Sequence, residues 1–458
     1  MNQFLVDRVV FPLHEWLKRS SNRQQLRELE RTQWLAPEAL RELQFARLRR
    51  HLEHAYDHTV YYRRLLDEHE CPPRRIQSFA DFARIPPLTR DTLRTQFDEL
   101  RVVGVREGGP IQRVASGGST GEPVVILQDI RIGSGASIRW RAHGWFGLTP
   151  FAREVVLWAS PLELSQQDRL RGGRDWLINS KLLSAFDLGE AGLARCAEVM
   201  TSFRPERIFG YASAIYILAR YLDAVGWRPA RRIRAVFTTA EPLFGFQRET
   251  ITRVFDCPAA IEYGARDAGA VANECPDGGL HIPAEMVHVE VEDTGTDGLG
   301  EILVTDLMAQ PMPLIRYRTG DLGELDARLC VCGRSLPLLK RVEGRRTDFL
   351  VSPGGRVQHA LSVIYILREV ERVKEFQVVQ ETVHRVRVLV VPRPGWTEVE
   401  TAAVTTKMHK LLGHDVDVSL ELVDVIPRTA SGKFRYVISQ IAEAYLDRLL
   451  GQAGGPRG

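Results

Sequence analysis

The sequence predicts an α/β protein with a large multilayer N-terminal region and a small C-terminal α/β domain. The chain has 458 residues, of which 44% are hydrophobic, and this is enough for two or three cores. From about residue 111, β-branched runs alternate with helical stretches, as in strands and helices packed in layers. The roughly 110 residues after EGRRTDFLV repeat this alternation and are long enough to fold as one domain.

The first part of the chain, about 1–100, has helical spacing, most clearly in the Arg- and Glu-rich stretch 22–68. The opening stretch MNQFLVDRVVFPLHEWLKR has Asp7 and Arg8 inside its apolar run and lacks a small-residue cleavage site. It therefore predicts a packed helix rather than a signal peptide, with an amphipathic surface helix as the alternative. No apolar run reaches the roughly 18 residues of a membrane span, so we expect a soluble, cytoplasmic protein.

The α/β region is predicted from strands that alternate with helices. After a pair of strands around a glycine-rich loop come the strands REVVLWAS, RIFGY and IRAVFTT and the helices AGLARCAEVMTSF, SAIYILARYLDAVG and FQRETITRVF. Residues 286–305 predict a hairpin within a β subdomain at about 283–344, which completes a large domain over 1–344. The small domain, 349–458, has a predicted helix near 360–371, the strands KEFQVVQE, HRVRVLVVPR and VSLELVDVI, and a helix around VTTKMHKLLG.

Charge and cysteine content exclude some classes of protein. The 61 basic and 58 acidic residues give a net charge of +3, which does not support nucleic-acid binding. Six cysteines are too few for a disulfide scaffold and favour a reducing compartment.

The loop 115-ASGGSTGEPVVI-126 is the first segment with functional chemistry. Successive N–H groups of a Gly-rich turn form an anion site, to which Ser and Thr hydroxyls add donors. No Gly-Lys-Ser/Thr follows, so the loop is not a Walker A sequence. Taken alone, it could equally be a tight hairpin turn.

Further polar, Gly-punctuated loops follow apolar strands: 238-TTAEPL-243, 262-EYGARDAG-269, 315-IRYRTGDLG-323 and, near the C-terminus, 427-PRTASGKFRYV-437. In this order, and with EGRRTD similar to a hinge motif, the loops resemble those of the adenylate-forming superfamily of acyl-CoA synthetases. The phenylacetate–CoA ligase-like branch, with its CapK and coenzyme F390 synthetase group, is the most similar. The resemblance covers about residues 40–440 and implies the adenylate-forming fold, with the small domain as a mobile lid.

The resemblance implies a nucleotide site built from these loops. Asp321 would accept hydrogen bonds from the ribose, and Arg345 would reach the ribose or a phosphate. Tyr263 would lie on the adenine ring. The β,γ-phosphates of ATP would be bound by Ser116, Gly117, Gly118, Ser119, Thr120 and Gly121, and the adenine pocket would also include Ala240, Glu241, Pro242 and Gly264.

Two charged residues would act at the phosphates. Lys433 would stabilise the negative charge that builds on the α-phosphate when a carboxylate attacks it. Asp267 stands where the family usually has a Mg²⁺-binding Glu. Because Asp is one methylene shorter, direct coordination can become water-mediated, so the sequence leaves the metal role of Asp267 in doubt.

A second metal is predicted from Cys275 and His281 in CPDGGLH and Cys330 and Cys332 in CVCGR. A Cys₃His set suits tetrahedral zinc, although two unrelated buried thiols and a surface His are the alternative, and Cys257 is a rival ligand. CapK-like relatives carry the same pair of segments, which implies a structural zinc ion that clamps the β subdomain.

As a whole, the resemblance implies an ATP-, Mg²⁺- and coenzyme A-dependent ligase. A carboxylic acid would become an acyl-adenylate, the lid would turn about Arg345–Asp348, and coenzyme A would take the acyl group. Trp140, Trp145 and Phe146 could form a wall for an aryl or aryl-acetic acid, or could simply be core residues. Two alternatives stay open: transfer of an adenylated acid, phenol or cofactor to a different acceptor, and a catalytically silent, zinc-stabilised nucleotide-binding regulator. A homodimer is also compatible with the sequence.

Overall fold

The computed structural model describes residues 6–18, 20–115, 124–131, 135–158, 179–185, 190–265, 267–296, 299–345, 349–353, 357–359, 363–364, 366–367, 369–426 and 436–441. These residues divide between two compact units. Unit 1 comprises Met1–Glu292, Gly300–Thr319 and Gly323–Val342, and unit 2 comprises Asp293–Leu299, Gly320–Leu322 and Glu343–Gly458.

The N-terminal third of unit 1 is helical. A π-helical turn (Val6–Val10) precedes α1 (Phe11–Lys18). Helix α4 (Val60–Glu68) is capped by the side chain of Thr59, which accepts a hydrogen bond from the Tyr62 N–H. The other helices of this part are α2 (Asn22–Thr32), α3 (Pro37–His58), α5 (Phe79–Phe82), α6 (Arg90–Thr95) and α7 (Phe97–Leu100), with a 3₁₀ turn at Pro73–Arg75.

After the helical part comes a sheet of 11 strands in the order β10-β11-β12-β13-β9-β8-β7-β6-β5-β3-β4. The strands from β3 to β7 are parallel, whereas β8 and β9 continue the sheet antiparallel. β5 and β6 are buried on both faces, as expected for parallel strands covered by helices. The strands are β3 (Glu154–Trp158), β4 (Ser180–Ser184), β5 (Arg207–Tyr211), β6 (Ala235–Thr239), β7 (Ala259–Ala265), β8 (Gly269–Glu274), β9 (Leu280–His281), β10 (Val287–Thr296), β11 (Leu299–Asp306), β12 (Leu314–Asp326) and β13 (Leu338–Arg345).

Helices and a separate strand pair accompany this sheet. The pair is β1 (Ile111–Ala115) and β2 (Val125–Asp129), antiparallel, at either end of the predicted phosphate loop. The helices are α8 (Ala136–Gly144), α9 (Glu190–Phe203), α10 (Ala212–Ala224) and α11 (Gly245–Phe255).

Unit 2 contains a four-stranded sheet in the order β18-β17-β16-β19. Its helix, α12 (Glu398–Leu412), begins with a capping box between Thr397 and Glu400. The strands are β16 (Val373–Thr382), β17 (Arg385–Pro392), β18 (Asp417–Leu422) and β19 (Val437–Ser439), with β14 (Phe349–Val351) and β15 (Val357–His359) as a separate antiparallel pair.

The predicted α/β class is thus confirmed. Among the described residues, no helix combines the length and apolar character that crossing a membrane requires.

Candidate active site and metal centre

The predicted adenine-side residues meet at one edge of the parallel sheet. In β6 and β7, Thr239 and Glu262 are register partners, so Ala240 and Tyr263 follow at neighbouring positions. Ligands of open parallel sheets bind beyond the carboxyl ends of the strands, which is where these residues lie. Ala240 has φ +66°, a left-handed conformation that non-glycine residues seldom adopt and that is concentrated at functional sites.

Gly264 makes the turn after Tyr263 sterically feasible. A Cβ at this position would lie 2.4 Å from the Gly269 carbonyl oxygen across the β7–β8 hairpin. The strand register shifts between Tyr263 and Gly264, and Tyr263 packs half-buried against the large apolar cluster of unit 1. The sequence Tyr-Gly therefore fixes both the ring and the close approach of the two strands.

Asp267, at the tip of that hairpin, is 2% exposed. Its Oδ2 accepts a hydrogen bond of 2.7 Å from the Tyr317 hydroxyl, and an Arg90 guanidinium nitrogen lies 3.7 Å away. Burial, together with the negative charge of Asp267, raises the pKa of Tyr317, so the phenol remains a donor. Oδ2 is engaged in this way, and a role of Asp267 as Mg²⁺ ligand stays a prediction.

Helix α8 brings buried charges to the same strands. The His143 Nε2 contacts Glu262 Oε1, and the ring stacks on Phe237 with 3.7 Å between centroids. Burial, then the charges of Arg207 and Arg139, holds the pKa of His143 well below its ordinary value, while burial raises the pKa of Glu262. A neutral imidazole therefore positions the carboxyl group immediately before Tyr263.

The three rings predicted to line an acid pocket do not form one wall. Trp140 packs on Phe11 at 5.1 Å, and Trp145 meets His281 edge-on at 5.3 Å. Phe146 contacts Phe237 at 5.2 Å between centroids. Each ring belongs to a different apolar cluster, so core packing accounts for all three.

Another aromatic surface, which the sequence did not indicate, lies at the carboxyl ends of β3 and β5. Trp158 stacks on Tyr211 at 4.4 Å and on Phe209 at 5.9 Å. The Arg139 guanidinium lies 3.7 Å from the Phe209 ring and is hydrogen-bonded to Glu154 at 2.6 Å. Nothing in the local sequence distinguishes these rings from ordinary core residues.

Other predicted nucleotide residues lie in unit 2 or outside the described residues. Asp321 is half-buried in β12, directly after Gly320 at φ +78°. Arg345 ends β13, but its side chain is outside the described part, as are Lys433 and the loop residues 116–121.

The four predicted zinc ligands come together in unit 1. The ligand atoms of Cys275, His281, Cys330 and Cys332, called the metal centre below, all lie within 4.8 Å of one another. The Cys275 and Cys330 sulfurs are 3.7 Å apart, and Cys332 Sγ is 3.3 Å from His281 Nε2. Tetrahedral zinc with bonds of about 2.3 Å to sulfur and 2.0 Å to nitrogen requires separations of about 3.8 and 3.5 Å. The donor set therefore fits zinc.

Two tight turns place these ligands. The Cys275 N–H donates to the Gly279 carbonyl at 2.9 Å, and the Gly333 N–H donates to the Cys330 carbonyl at 3.1 Å. β9 pairs with β13 through His281 and Leu338, which aligns the two turns.

The protonation states suit a metal that displaces protons. Burial lowers the pKa of His281 to about 4, so its ring is neutral at pH 7. Burial raises the pKa of the Cys275 thiol to about 12. Burial also acts to raise the pKa of Cys332, but hydrogen bonds from Arg334 outweigh it and hold that pKa below its ordinary value.

Trp145 joins the metal centre to helix α8. The ring meets His281, and the Arg334 guanidinium lies 4.8 Å from Trp145 and 5.0 Å from Trp34. The Trp145 Nε1 donates to Gln33 at 2.9 Å. The indole predicted to bind an acid thus covers the predicted zinc ligand.

Comparison with known proteins finds similar chains. Residues 350–440 match the CapK C-terminal domain. Protein CapK of Staphylococcus aureus is 24% identical over 408 residues, covering 87% of this chain and 89% of CapK. Phenylacetate–coenzyme A ligase of Thermus thermophilus is 27% identical over 451 residues, covering 88% and 97%.

The fold has solved counterparts. The structure of 2-hydroxyisobutyryl-CoA ligase in the postadenylation state, in complex with 2-HIB-AMP, superposes with a TM-score of 0.69. The superposition covers 91% of this chain and 93% of the ligase at 20% identity. In its C-terminal domain and along most of its length the chain is similar to CapK and to phenylacetate–CoA ligase, and its fold is that of a solved acyl-CoA ligase.

Proposed function

We propose that this protein is an AMP-forming acid–CoA ligase. In the first half-reaction, a carboxylate oxygen attacks the α-phosphorus of ATP, pyrophosphate leaves and an acyl-adenylate forms. In the second, the thiol of coenzyme A replaces AMP. The observation that carries the proposal is the similarity to phenylacetate–CoA ligase over 97% of that enzyme's length.

The loops at the carboxyl edge of the sheet support nucleotide binding. Tyr263, held by the β7–β8 hairpin, would stack on adenine beside Ala240, and Asp321 would accept hydrogen bonds from the ribose hydroxyls. The loop 116–121 would donate N–H and hydroxyl hydrogen bonds to the β,γ-phosphates. Bound Mg²⁺ would neutralise phosphate charge.

Lys433 has the catalytic role in this proposal. Its ammonium would stabilise charge on the α-phosphate oxygens while the new P–O bond forms. The small domain, proposed at 349–458, would carry Lys433 away before the thiol reacts, as in conformational gating.

An aryl acid is the finer part of the proposal. Its support is the similarity to phenylacetate–CoA ligase, together with Trp158, the half-buried last residue of β3, whose position is the strand end where ligands of parallel sheets bind.

The metal centre would hold structural zinc. Four protein ligands leave no open coordination position for substrate. The ion would clamp the turn 275–279 to the turn 330–333, both within unit 1.

The test is ATP–pyrophosphate exchange across a panel of aryl, aryl-acetic and short aliphatic acids. We expect exchange with at least one acid, loss of exchange in Lys433→Ala, and full exchange in Lys410→Ala, an exposed lysine of α12. Coenzyme A-dependent AMP release, with a thioester detected by mass spectrometry, identifies the acceptor.

The alternatives give different results. Exchange without a coenzyme A-dependent step would indicate another acceptor. A folded, AMP-binding protein with no exchange for any acid would favour the silent regulator and contradict the proposed ligase.

A further inference from the structure

We propose that Arg90, Asp267 and Tyr317 form a hydrogen-bonded triad that positions the adenine-side hairpin, and that Asp267 acts there as a positioning residue rather than as a magnesium ligand. This inference rests on the proposed function, because it assigns a role within the nucleotide site. It reinterprets an acidic position that the family resemblance had linked to the metal.

The hydrogen bonds form a closed set around the Tyr317 hydroxyl. Tyr317 donates to Asp267 Oδ2 at 2.7 Å and accepts from Arg90 Nε at 3.3 Å. Arg90 also donates to the Thr319 carbonyl at 3.2 Å and lies 3.7 Å from the Asp267 carboxylate. Tyr317 and Asp267 are 1% and 2% exposed, so water cannot readily replace these bonds.

Arg90 reaches the triad through a strand-like contact outside the main sheet. Leu88 forms a parallel bridge with Tyr317, in which the Leu88 N–H donates to the Arg316 carbonyl at 3.0 Å and the Arg318 N–H donates back to Leu88 at 2.9 Å. Thr89 then caps α6 by accepting from the Thr92 N–H. Arg90, the first residue of that helix, is thereby set beside Tyr317.

Asp267 connects the triad to Tyr263, because both residues lie on the β7–β8 hairpin. The two residues lie four positions apart on one hairpin, whose tip is closed by the Ala268 N–H donating to the Ala265 carbonyl at 3.2 Å. The strand register shifts directly after Tyr263, and regular strand pairing alone therefore does not fix the position of the tip. The triad ties the tip to β12, which limits where the Tyr263 ring can lie.

The charges explain why this carboxylate is better suited to positioning than to a metal. A buried carboxylate is costly unless it is paired and hydrogen-bonded, and here Arg90 and Tyr317 supply both requirements. A magnesium ion bound directly to Oδ2 would have to displace the Tyr317 hydrogen bond and lie close to a guanidinium of like charge.

The test measures AMP binding by calorimetry in EDTA, where no magnesium contributes. We expect Tyr317→Phe and Asp267→Ala each to weaken AMP binding by about tenfold, because each leaves a buried polar partner unsatisfied. Asp267→Asn keeps an acceptor for the Tyr317 hydroxyl and should recover part of that loss. The Tyr317→Phe/Asp267→Ala protein should bind AMP no more weakly than either single variant, as for residues that act as one unit.

Tyr62→Phe is the matched control. The Tyr62 hydroxyl is also buried, accepts from the Ile315 N–H at 3.1 Å and donates to the Pro313 carbonyl at 3.2 Å. Its loss should lower thermal stability as much as Tyr317→Phe does, yet leave AMP affinity unchanged. The magnesium concentration for half-maximal exchange should be the same in the wild type and in every triad variant that retains exchange.

Three results would overturn the proposal. The first is a loss of AMP affinity in the double variant that equals the sum of the losses in the single variants. The second is an equal loss of AMP affinity in Tyr62→Phe and Tyr317→Phe. The third is an Asp267→Ala protein that binds AMP normally without metal but requires more magnesium for exchange. An unaltered protein that binds no AMP would be different, because it would remove the proposed function itself and the triad's role with it.

Discussion

Replacement of Gly279 by alanine tests the metal centre with a single methyl group. A Cβ at this position would lie 2.6 Å from Cys330 Sγ and 3.2 Å from His281 Nε2. Ordinary contacts between heavy atoms of this size are about 3.5–4.0 Å, so the sulfur must move by about 1 Å. Zinc–ligand distances vary by only about 0.2 Å, and the displaced thiolate can therefore no longer coordinate.

The expected result is a large loss of zinc affinity without backbone strain. Gly279 does not have a positive φ, so alanine can adopt its conformation. Disturbing the residues that merely support zinc ligands typically costs 10- to 100-fold in affinity, and displacing a ligand should exceed about 100-fold. Zinc content after dialysis and competition with a chromogenic chelator measure this loss.

The controls separate the steric effect from general damage. Gly245→Ala adds the same methyl where nothing lies within 4 Å, and it should retain zinc. Cys332→Ser removes a ligand outright and sets the scale of a complete loss. In cobalt-substituted protein, Gly279→Ala should have weaker sulfur-to-metal charge-transfer absorbance, because the Cys330 thiolate is displaced. If Gly279→Ala kept the wild-type zinc affinity and cobalt spectrum, the assignment of these four residues to one metal would be refuted.

Three further predictions follow from buried charges. Burial raises the pKa of Asp306 from 3.8 to about 6. Its contribution to the free energy of unfolding is therefore fully present below pH 4 and is lost as pH rises through 6. At pH 7 that contribution is about 3 kcal/mol smaller than at pH 4. Asp306→Asn should thus raise the urea-unfolding free energy at pH 7 by up to that amount and bring no gain at pH 4. Arg141→Met leaves the fully buried Glu285 unpaired and should cost about 3–5 kcal/mol in the same assay, most of it recovered when Glu285 is also made Leu. Zinc affinity should fall about tenfold per pH unit below pH 8 for each thiol that zinc must deprotonate. Cys275 is one such thiol, because its pKa is raised to about 12. A zinc affinity that does not change with pH would contradict thiolate ligation.

Much of the architecture follows from local patterns. The predicted strands REVVLWAS, RIFGY and IRAVFTT correspond to β3, β5 and β6, because buried parallel strands are short, continuous apolar runs. That Cys275, His281, Cys330 and Cys332 come together could also be predicted, since thiolate and imidazole donors in two Gly-containing turns have few other uses; their binding of zinc stays a prediction.

What the sequence could not supply are partners that are distant along the chain. Trp140 and Trp145 have the composition of a pocket wall, but their neighbours, Phe11 and His281, are set by tertiary packing. Arg90 is one of 61 basic residues, and the bridge between Leu88 and Tyr317 brings it to its partners in the structure. Hydrophobic periodicity carries no information about such contacts.

Helix α8 shows how buried charge, rather than apolar area, can orient a site. Arg139 and His143, one turn apart, face the carboxylates of Glu154 and Glu262 on the sheet, whereas Arg141 pairs with Glu285 elsewhere. An apolar helix face could slide over its neighbours at little cost. Breaking the Arg141–Glu285 pair instead leaves a buried charge uncompensated, and breaking the other contacts leaves buried polar groups without these partners. The helix therefore has one favourable position, in which His143 contacts Glu262, the residue before Tyr263, and Trp145, the next residue after the end of the helix, covers the predicted zinc ligand His281.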